Sequence, residues 1–171
     1  LIDDAITQNL EQEPLIQSSK DALKGVDLII STGAIGYVTE RTLSRLFSAI
    51  GENPPWLASF VLRMFPYDAI SGLMDEYGHV TEKLSGVTFV QRRFQSEHEL
   101  RSVLTQLDAL GIDSRNKEMD GLLHSELFIS RPPEDCAEIP LETLASVSKG
   151  TSLPSGCRFR LGDDHVVRLS P

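Results

Sequence analysis

Two glycines follow an apolar, β-branched run in residues 27–38, where the sequence reads DLIISTGAIGYV. Small residues at the carboxyl end of a strand in an α/β sheet allow a ligand to approach the backbone closely. Ser31, Thr32 and Gly33 therefore form a candidate binding loop. Gly33 and Gly36 would equally allow the chain to turn tightly into the helix that follows. The residues alone leave both interpretations open.

The spacing of these glycines argues against a nicotinamide cofactor. A dinucleotide-binding loop needs the pattern Gly-x-Gly-x-x-Gly, with an acidic residue about 20 positions further along the chain. Here the spacing is Gly33-x-x-Gly36, and the run that begins near Leu57 ends in Leu62 and Arg63. A nicotinamide-dependent reductase is kept only as a third hypothesis, which a titration with NADH would test.

The charge balance limits the classes of partner. The 171 residues include 25 Asp and Glu against 16 Lys and Arg, which gives a net charge of −9. Phosphate backbones and anionic membranes repel such a chain, so we expect no nucleic acid and no membrane as partners. Cys136 and Cys157 form neither a disulfide framework nor a zinc pattern. No apolar run reaches the roughly 18 residues of a membrane span, and no signal peptide is recognisable, which favours a cytoplasmic protein.

Three segments carry apolar residues at helical spacing and predict helices with one apolar face each. Their apolar positions are Leu43, Leu46, Phe47 and Ile50, then Ile70, Leu73, Met74 and Tyr77, then Leu100, Val103, Leu104 and Leu107. Thr39 precedes the first segment, Gly78 suits the C-terminal cap of the second, and Ser96 with Glu99 forms a capping box before the third. Helices of this kind are suited to packing on a sheet.

Short runs with strand character alternate with these helices. They cover residues 5–7, 27–30, 57–62, 87–94 and 122–129. The second and third runs are almost continuously apolar, which is typical of parallel strands covered on both faces. The last two runs include polar residues, as expected toward a sheet edge or in an antiparallel pair. The alternation predicts an α/β fold wound in the right-handed sense.

The pattern decays after Pro132 and Pro133. We interpret residues 134–171 as a tail or linker that carries a small hairpin between residues 158–161 and 166–169. Residues 1–133 then belong to one α/β domain.

The order of these segments resembles the C-terminal part of class I S-adenosylmethionine-dependent methyltransferases. DLIISTGAIGYV looks like the fourth strand of that family and its loop, PPWLASFVLRMFPYD the fifth, VTFVQRRF the sixth and HSELFISRP the seventh. AITQNLEQEP is similar to the third strand and the residues after it. The resemblance covers roughly residues 3–133 and implies a Rossmann-like, mostly parallel sheet with an antiparallel strand near its C-terminal edge.

The sequence departs from the family in two places. The glycine-rich loop after the first strand of the family and the acidic residue after its second strand are absent, so the resemblance implies an incomplete fold. In the strand order of the family, 3-2-1-4-5-7-6, a strand near Ala5 would lack its neighbours, and we expect residues 1–20 to be displaced, mobile or paired elsewhere. The predicted helix at residues 96–110 leaves open whether the strands that it joins are antiparallel or parallel.

The resemblance implies a binding site for S-adenosylmethionine. Its cofactor-binding residues would be Asn9, Leu10, Ser31, Thr32 and Gly33, with the first two at the adenine and the others beside the methionine part. Tyr37 would lie next to the transferred methyl group, although its ring could equally pack against the start of the helix.

Methyl transfer is an in-line displacement that mainly requires alignment and exclusion of water. A general base helps only when the nucleophile carries a proton of high pKa. His124 is the candidate base, Tyr67 a candidate substrate contact, and Arg63 could hold a carboxylate or phosphate of the acceptor. An exposed arginine at a strand end is the alternative for Arg63. His79, after Gly78, is interpreted as a surface residue, and no metal site is predicted.

The leading hypothesis is therefore methyl transfer from S-adenosylmethionine to a small-molecule or carrier-bound acceptor, as part of a larger protein. The alternative hypothesis is a catalytically silent α/β module for docking or dimerisation. In either case the incomplete sheet would associate with a second copy or with a missing N-terminal half.

Overall fold

The computed structural model describes residues 5–51, 53–146, 158–161 and 166–170. The strands in these ranges are β1 Leu28–Thr32, β2 Trp56–Leu62, β3 Val80–Lys83, β4 Thr88–Arg93, β5 Leu122–Arg131, β6 Arg158–Leu161 and β7 Val166–Ser170. The helices are α1 Gln17–Ala22, α2 Glu40–Ile50, α3 Asp68–Glu76, α4 Glu97–Ala109, α5 Pro133–Glu138 and α6 Leu141–Ser146, with a 3-10 turn at Glu118–Asp120. None of the helices in these ranges is long and apolar enough to cross a membrane.

The strands form one mixed sheet in the order β1-β2-β5-β4-β7-β6. Strands β1 and β2 are parallel, with Leu28 opposite Trp56 and Thr32 opposite Phe60. Strand β5 is antiparallel to β2 on one side, and to β3 and β4 on the other. The short strands β3 and β4 thus follow one another along the same edge of β5.

The predicted α/β class is confirmed, but the prediction of a mostly parallel sheet needs correction. Strands β1 to β4 and β7 run in one direction, whereas β5 and β6 run in the other. Because β5 lies inside the sheet, only the β1–β2 and β4–β7 pairings are parallel among the six described. The helix between β4 and β5 is present, and the strands that it joins are antiparallel.

Four of the five predicted strands are confirmed, with ends that differ by at most two residues. The predicted strand at residues 5–7 is wrong, because these residues have no regular secondary structure. From the sequence, residues 1–20 are expected to be displaced, mobile or paired elsewhere. Residues 5–20 form a loop and the beginning of α1 and are not part of the sheet, whereas residues 1–4 lie outside the described residues.

The helices cover the sheet with the apolar faces that the sequence predicts. Helices α2 and α3 pack on one face of β2, where their side chains meet Leu57 and Val61. Helix α4 packs on the opposite face, against Leu62 and Leu123. The buried residues of the three helices at these contacts are Leu43, Phe47, Ile70, Met74, Val103 and Leu107.

Both α2 and α4 have a side-chain cap at the N-terminus, and the cap of α4 is the one that the sequence predicts. The side chain of Thr39 accepts a hydrogen bond from the backbone N–H of Arg41 at 3.2 Å. Ser96 Oγ accepts one from the N–H of Glu99 at 3.1 Å. The carboxylate of Glu99 accepts from the N–H of Gln95 at 2.7 Å, one residue before the partner that a capping box uses.

Residues beyond position 133 contribute to the same sheet and core. Leu141 of α6 packs against Leu84 and Ile129, and Asp135 accepts a hydrogen bond from Trp56 Nε1 at 2.7 Å. The predicted hairpin is confirmed as β6 and β7, and β7 extends the sheet beside β4. The domain boundary at residue 133 stays a prediction.

Candidate functional site

The carboxyl ends of β1, β2 and β4 lie at one edge of the sheet, because these strands share one direction. Strand β1 leads there into the loop of residues 33–38, and β2 leads into residues 63–67. The backbone N–H of Gly33 donates to Phe60 O at 2.9 Å, which fixes the start of the loop on β2. We call this edge the C-terminal edge and take it as the candidate site.

The two glycines of the loop have different surroundings. Both have a positive φ, +62° at Gly33 and +110° at Gly36. A β-carbon at Gly36 would lie 2.6 Å from Cζ of Phe65, so packing alone explains this glycine. A β-carbon at Gly33 would lie 3.9 Å from Oε1 of Gln91, which is an ordinary contact distance. Gly36 therefore makes the corner, whereas Gly33 is the glycine at which a ligand could approach the backbone.

The segment that contains Asn9 and Leu10 lies against the N-terminus of α2. Leu10 O accepts a hydrogen bond from Arg45 Nη1, and Asn9 Oδ1 accepts one from the N–H of Glu11 at 3.1 Å. The carboxylate of Glu11 accepts from Thr39 N at 2.9 Å and from Thr39 Oγ1 at 2.8 Å. It also accepts from Thr42 Oγ1 at 2.6 Å. The segment is thus held near the C-terminal edge by Glu11, a residue that the sequence did not single out.

Glu11→Gln is expected to lower the free energy of unfolding by about 1 kcal/mol at neutral pH, because it removes a negative charge at the N-terminus of α2. The effect is no larger because the site is partly open to solvent, which screens the charge. The hydrogen bonds from Thr39 and Thr42 lower the pKa of Glu11 from 4.5 to about 2. Since the folded-state pKa is lowered, the stabilisation is present above pH 4.5 and is lost as the pH falls toward 2. Urea unfolding near neutral pH and near pH 3 measures this effect.

Glu13→Gln serves as the matched control, because Glu13 lies exposed in the same segment. We expect it to leave the free energy of unfolding unchanged within about 0.5 kcal/mol. If Glu11→Gln lowered the free energy of unfolding equally at both pH values, an ionised Glu11 could not be the acceptor for Thr39 and Thr42.

Arg63 follows β2 and lies inside the protein, so the expectation of an exposed strand-end arginine is wrong. Its Nη1 lies 2.6 Å from Oε2 of Glu118, and its Nη2 donates to Asp113 O at 2.7 Å. A second carboxylate, that of Glu126, lies 4.0 Å from Nε. Burial raises the pKa of Glu118, and the charge of Arg63 opposes this shift. Binding of substrate by Arg63 stays a prediction, and it would require this buried pair to open.

Tyr67 and His124 also lie in the interior. The hydroxyl of Tyr67 donates to Ser59 Oγ at 3.0 Å, and its ring stacks on Phe128 at a centroid distance of 4.3 Å. Burial raises the pKa of Tyr67. His124 Nδ1 lies 3.0 Å from Thr88 Oγ1, and its ring is fully buried. Their roles as substrate contact and base stay predictions.

Tyr37 is 84% exposed in the loop that follows β1. The ring therefore does not pack against the start of α2, which was the alternative interpretation. Ser31 and Gly33 are half-buried and Thr32 is exposed. We call residues 33–38 the β1 loop. The C-terminal edge thus combines accessible residues at the end of β1 and in the β1 loop with buried polar side chains. These side chains, which we call the buried polar layer, are those of Arg63, Tyr67, Glu118 and His124.

Gln91 is a residue of the edge that the sequence analysis missed. Its Nε2 donates to Oγ of the buried Ser125 at 2.7 Å, and its Oε1 would lie 3.9 Å from a β-carbon at Gly33. Within the described ranges, no group of three His, Cys, Asp or Glu side chains is arranged to hold a metal ion. Comparison with protein-family models, curated proteins and solved structures gives no significant match to the chain.

Proposed function

We propose that this chain is part of a class I S-adenosylmethionine-dependent methyltransferase. It would transfer a methyl group to a small-molecule or carrier-bound acceptor in the cytoplasm. One observation carries the proposal, namely the order and direction of β1, β2, β5 and β4. Strand β5 lies between β2 and β4 and runs in the opposite direction to both. In that family the seventh strand lies in the same way between the fifth and the sixth. The same correspondence supports a Rossmann-like fold for the complete protein.

The position of the β1 loop supports a cofactor site at the C-terminal edge. Ligands of open α/β sheets bind outside the carboxyl ends of the strands. Ser31, Thr32 and Gly33 lie at such an end and would border the methionine part of the cofactor. Asn9 and Leu10 are held near the same edge through Glu11 and Arg45, and would meet the adenine.

The bound cofactor would supply an activated methyl group on a sulfonium. The residues of this chain would then orient the acceptor and exclude water, which is most of what an in-line displacement requires. Tyr37 is exposed in the loop after β1 and would lie beside the transferred methyl group. His124 would act as a base only for an acceptor that carries a proton of high pKa, and only if the buried layer opens.

The site needs a further segment to be complete. Among the described residues, no strand pairs with the outer edge of β1. On the face that α2 and α3 do not cover, Leu28 is 48% exposed and Ile30 is 60% exposed. An unpaired edge beside exposed apolar side chains is a site of strand addition. We propose that an α/β segment carrying the glycine-rich loop covers this face, from the same protein or from another chain.

The same edge favours a second candidate function, a catalytically silent module for docking or dimerisation. Strand β1 carries none of the charged or proline residues that commonly protect an edge strand. A second copy could therefore pair with it directly. In that case the C-terminal edge would bind no cofactor.

Calorimetric titration of the complete natural protein with S-adenosylhomocysteine tests the proposal. We expect a saturable heat of binding, and its absence would overturn the methyltransferase assignment. Light scattering on the same sample tests the second candidate. A dimer that binds no S-adenosylhomocysteine, and that Ile30→Lys converts to a monomer, would support it. Met119→Lys is the matched control, because Met119 is equally exposed but lies in the 3-10 turn rather than on β1.

A further inference from the structure

Gln91 lies at an irregularity in the pairing of β4 with β5. Phe89 and Val90 lie opposite Ser125 and His124, whereas Arg92 lies opposite Leu123. Gln91 is thus the additional residue of a β-bulge. Bulges redirect a side chain and are frequent beside functional sites. This one occurs at the carboxyl end of β4, on the C-terminal edge.

The amide of Gln91 has a defined orientation. Its Nε2 donates to Ser125 Oγ at 2.7 Å, and the Ser125 hydroxyl donates to Phe89 O at 3.4 Å. A serine hydroxyl has one proton to donate, so Ser125 acts as the acceptor toward Gln91. The NH₂ group of the amide therefore points into the protein, and the carbonyl oxygen Oε1 points away from Ser125.

The carbonyl oxygen faces the β1 loop. A β-carbon at Gly33 would lie 3.9 Å from Oε1, in ordinary van der Waals contact, so Oε1 and the Gly33 backbone border the same space. The N–H of Gly33 is already bonded to Phe60 O. On the same face, the rings of Phe60 and Phe89 meet edge to face at a centroid distance of 5.0 Å and form an apolar surface beside the amide. Oε1 is thus a hydrogen-bond acceptor close to the backbone that would border the methionine part of the cofactor.

We infer that Oε1 of Gln91 accepts a hydrogen bond from the α-ammonium group of S-adenosylmethionine. This inference rests on the proposed function, which puts the methionine part of the cofactor beside Gly33. A carbonyl oxygen attracts an ammonium group and repels a carboxylate, so it selects the orientation of the methionine part. Hydrogen bonds to charged groups are stronger than neutral ones, and we expect a roughly tenfold effect on affinity.

The experiment uses the complete natural protein and two ligands, S-adenosylhomocysteine and its analogue without the α-amino group. Calorimetry should show that the analogue binds the wild-type protein about tenfold more weakly. Gln91→Leu should weaken S-adenosylhomocysteine about tenfold and leave the analogue unchanged, so that both ligands bind this variant equally. Gln91→Glu keeps an acceptor oxygen and should bind S-adenosylhomocysteine at least as tightly as the wild type. Gln106→Leu, at an exposed position of α4, is the matched control and should change neither affinity.

The outcomes separate the inference from the proposed function. If the wild-type protein binds no S-adenosylhomocysteine, the proposed function fails and the inference fails with it. If Gln91→Leu binds S-adenosylhomocysteine as tightly as the wild type does, only the inference is overturned. An equal loss for both ligands would also overturn it, because a purely structural role predicts no preference for the amino group. Should Gln91→Leu not fold, Ser125→Ala releases the amide and must weaken S-adenosylhomocysteine more than the analogue.

Discussion

Glu118→Leu is expected to lower the free energy of unfolding by roughly 3 to 5 kcal/mol. The side chains of Arg63 and Glu118 are 7% and 1% exposed, and their charged atoms lie 2.6 Å apart. Removing the carboxylate leaves the guanidinium buried with Asp113 O as its hydrogen-bond acceptor and the carboxylate of Glu126 only at 4.0 Å from Nε. A buried charge without its partner is far more costly than the loss of the ion pair alone. Urea-induced unfolding of the wild type and the variant measures the difference.

Two further variants show whether the buried charge causes the loss. Arg63→Met combined with Glu118→Leu removes both charges, and most of the stability should return. Arg115→Met breaks an ion pair with Asp113 in the same loop, where the two side chains are 77% and 59% exposed. That change should have a much smaller effect, because solvent screens an exposed ion pair. If Glu118→Leu costs no more than Arg115→Met, the pair is not buried in solution.

The Arg63–Glu118 pair also defines the structure of the candidate site. It joins the end of β2 to the loop that contains Asp113 and to the 3-10 turn that contains Glu118. These segments follow α4 and lead into β5, so the pair fixes how the chain enters the antiparallel strand. Arg63 therefore supports the C-terminal edge from the interior of the protein. In the proposed function, the methyl acceptor would contact the β1 loop before it could reach Arg63.

Local patterns predicted most of the secondary structure. The apolar spacing of Leu43 and Phe47 identified the buried face of α2, and Thr39 and Ser96 identified where α2 and α4 begin. These signals depend on residues within one or two turns of each other, so the sequence carries them completely. The strand run at residues 57–62 was recognisable for the same reason.

The burial of polar residues could not be predicted, because it depends on partners far away in the sequence. Arg63 is buried through Glu118, which lies 55 positions further along the chain. His79 was interpreted as a surface residue, yet its Nε2 lies 3.1 Å from Pro55 O and its ring packs edge-on to Phe47 at 5.9 Å. A histidine after a helix-ending glycine gives no local indication of either contact.

In the candidate site, too, the local features were predictable from the sequence and the contacts between distant residues were not. The β1 loop was recognisable because the strand, the glycines and the helix start follow one another directly. Gln91 was not, because a bulge is a property of the register between two strands separated by a helix. Glu11 was missed for a related reason, since its partners Thr39 and Thr42 lie about 30 residues away and only the fold brings them together.

Gly36→Ala is expected to lower the free energy of unfolding by roughly 2 to 4 kcal/mol, from backbone strain and overpacking together. The φ of +110° at Gly36 is unfavourable for any residue with a side chain. The added carbon would also lie 2.6 Å from Cζ and 2.7 Å from Cε2 of Phe65. That ring contacts both the core beneath α2 and α3 and the core beneath α4, so it has little freedom to move. Thermal or urea unfolding measures the loss.

Gly72→Ala is the matched control and should have the opposite sign. Gly72 lies within α3, and a β-carbon there would meet nothing within 4 Å. Alanine is favoured over glycine inside a helix, so we expect a gain of about 0.5 to 1 kcal/mol. Adding Phe65→Leu to Gly36→Ala should restore only part of the loss, because it relieves the overlap but not the strain in φ. If Gly36→Ala is as stable as the wild type, Gly36 does not form the corner. The assignment of the corner to Gly36 and of ligand approach to Gly33 would then be wrong.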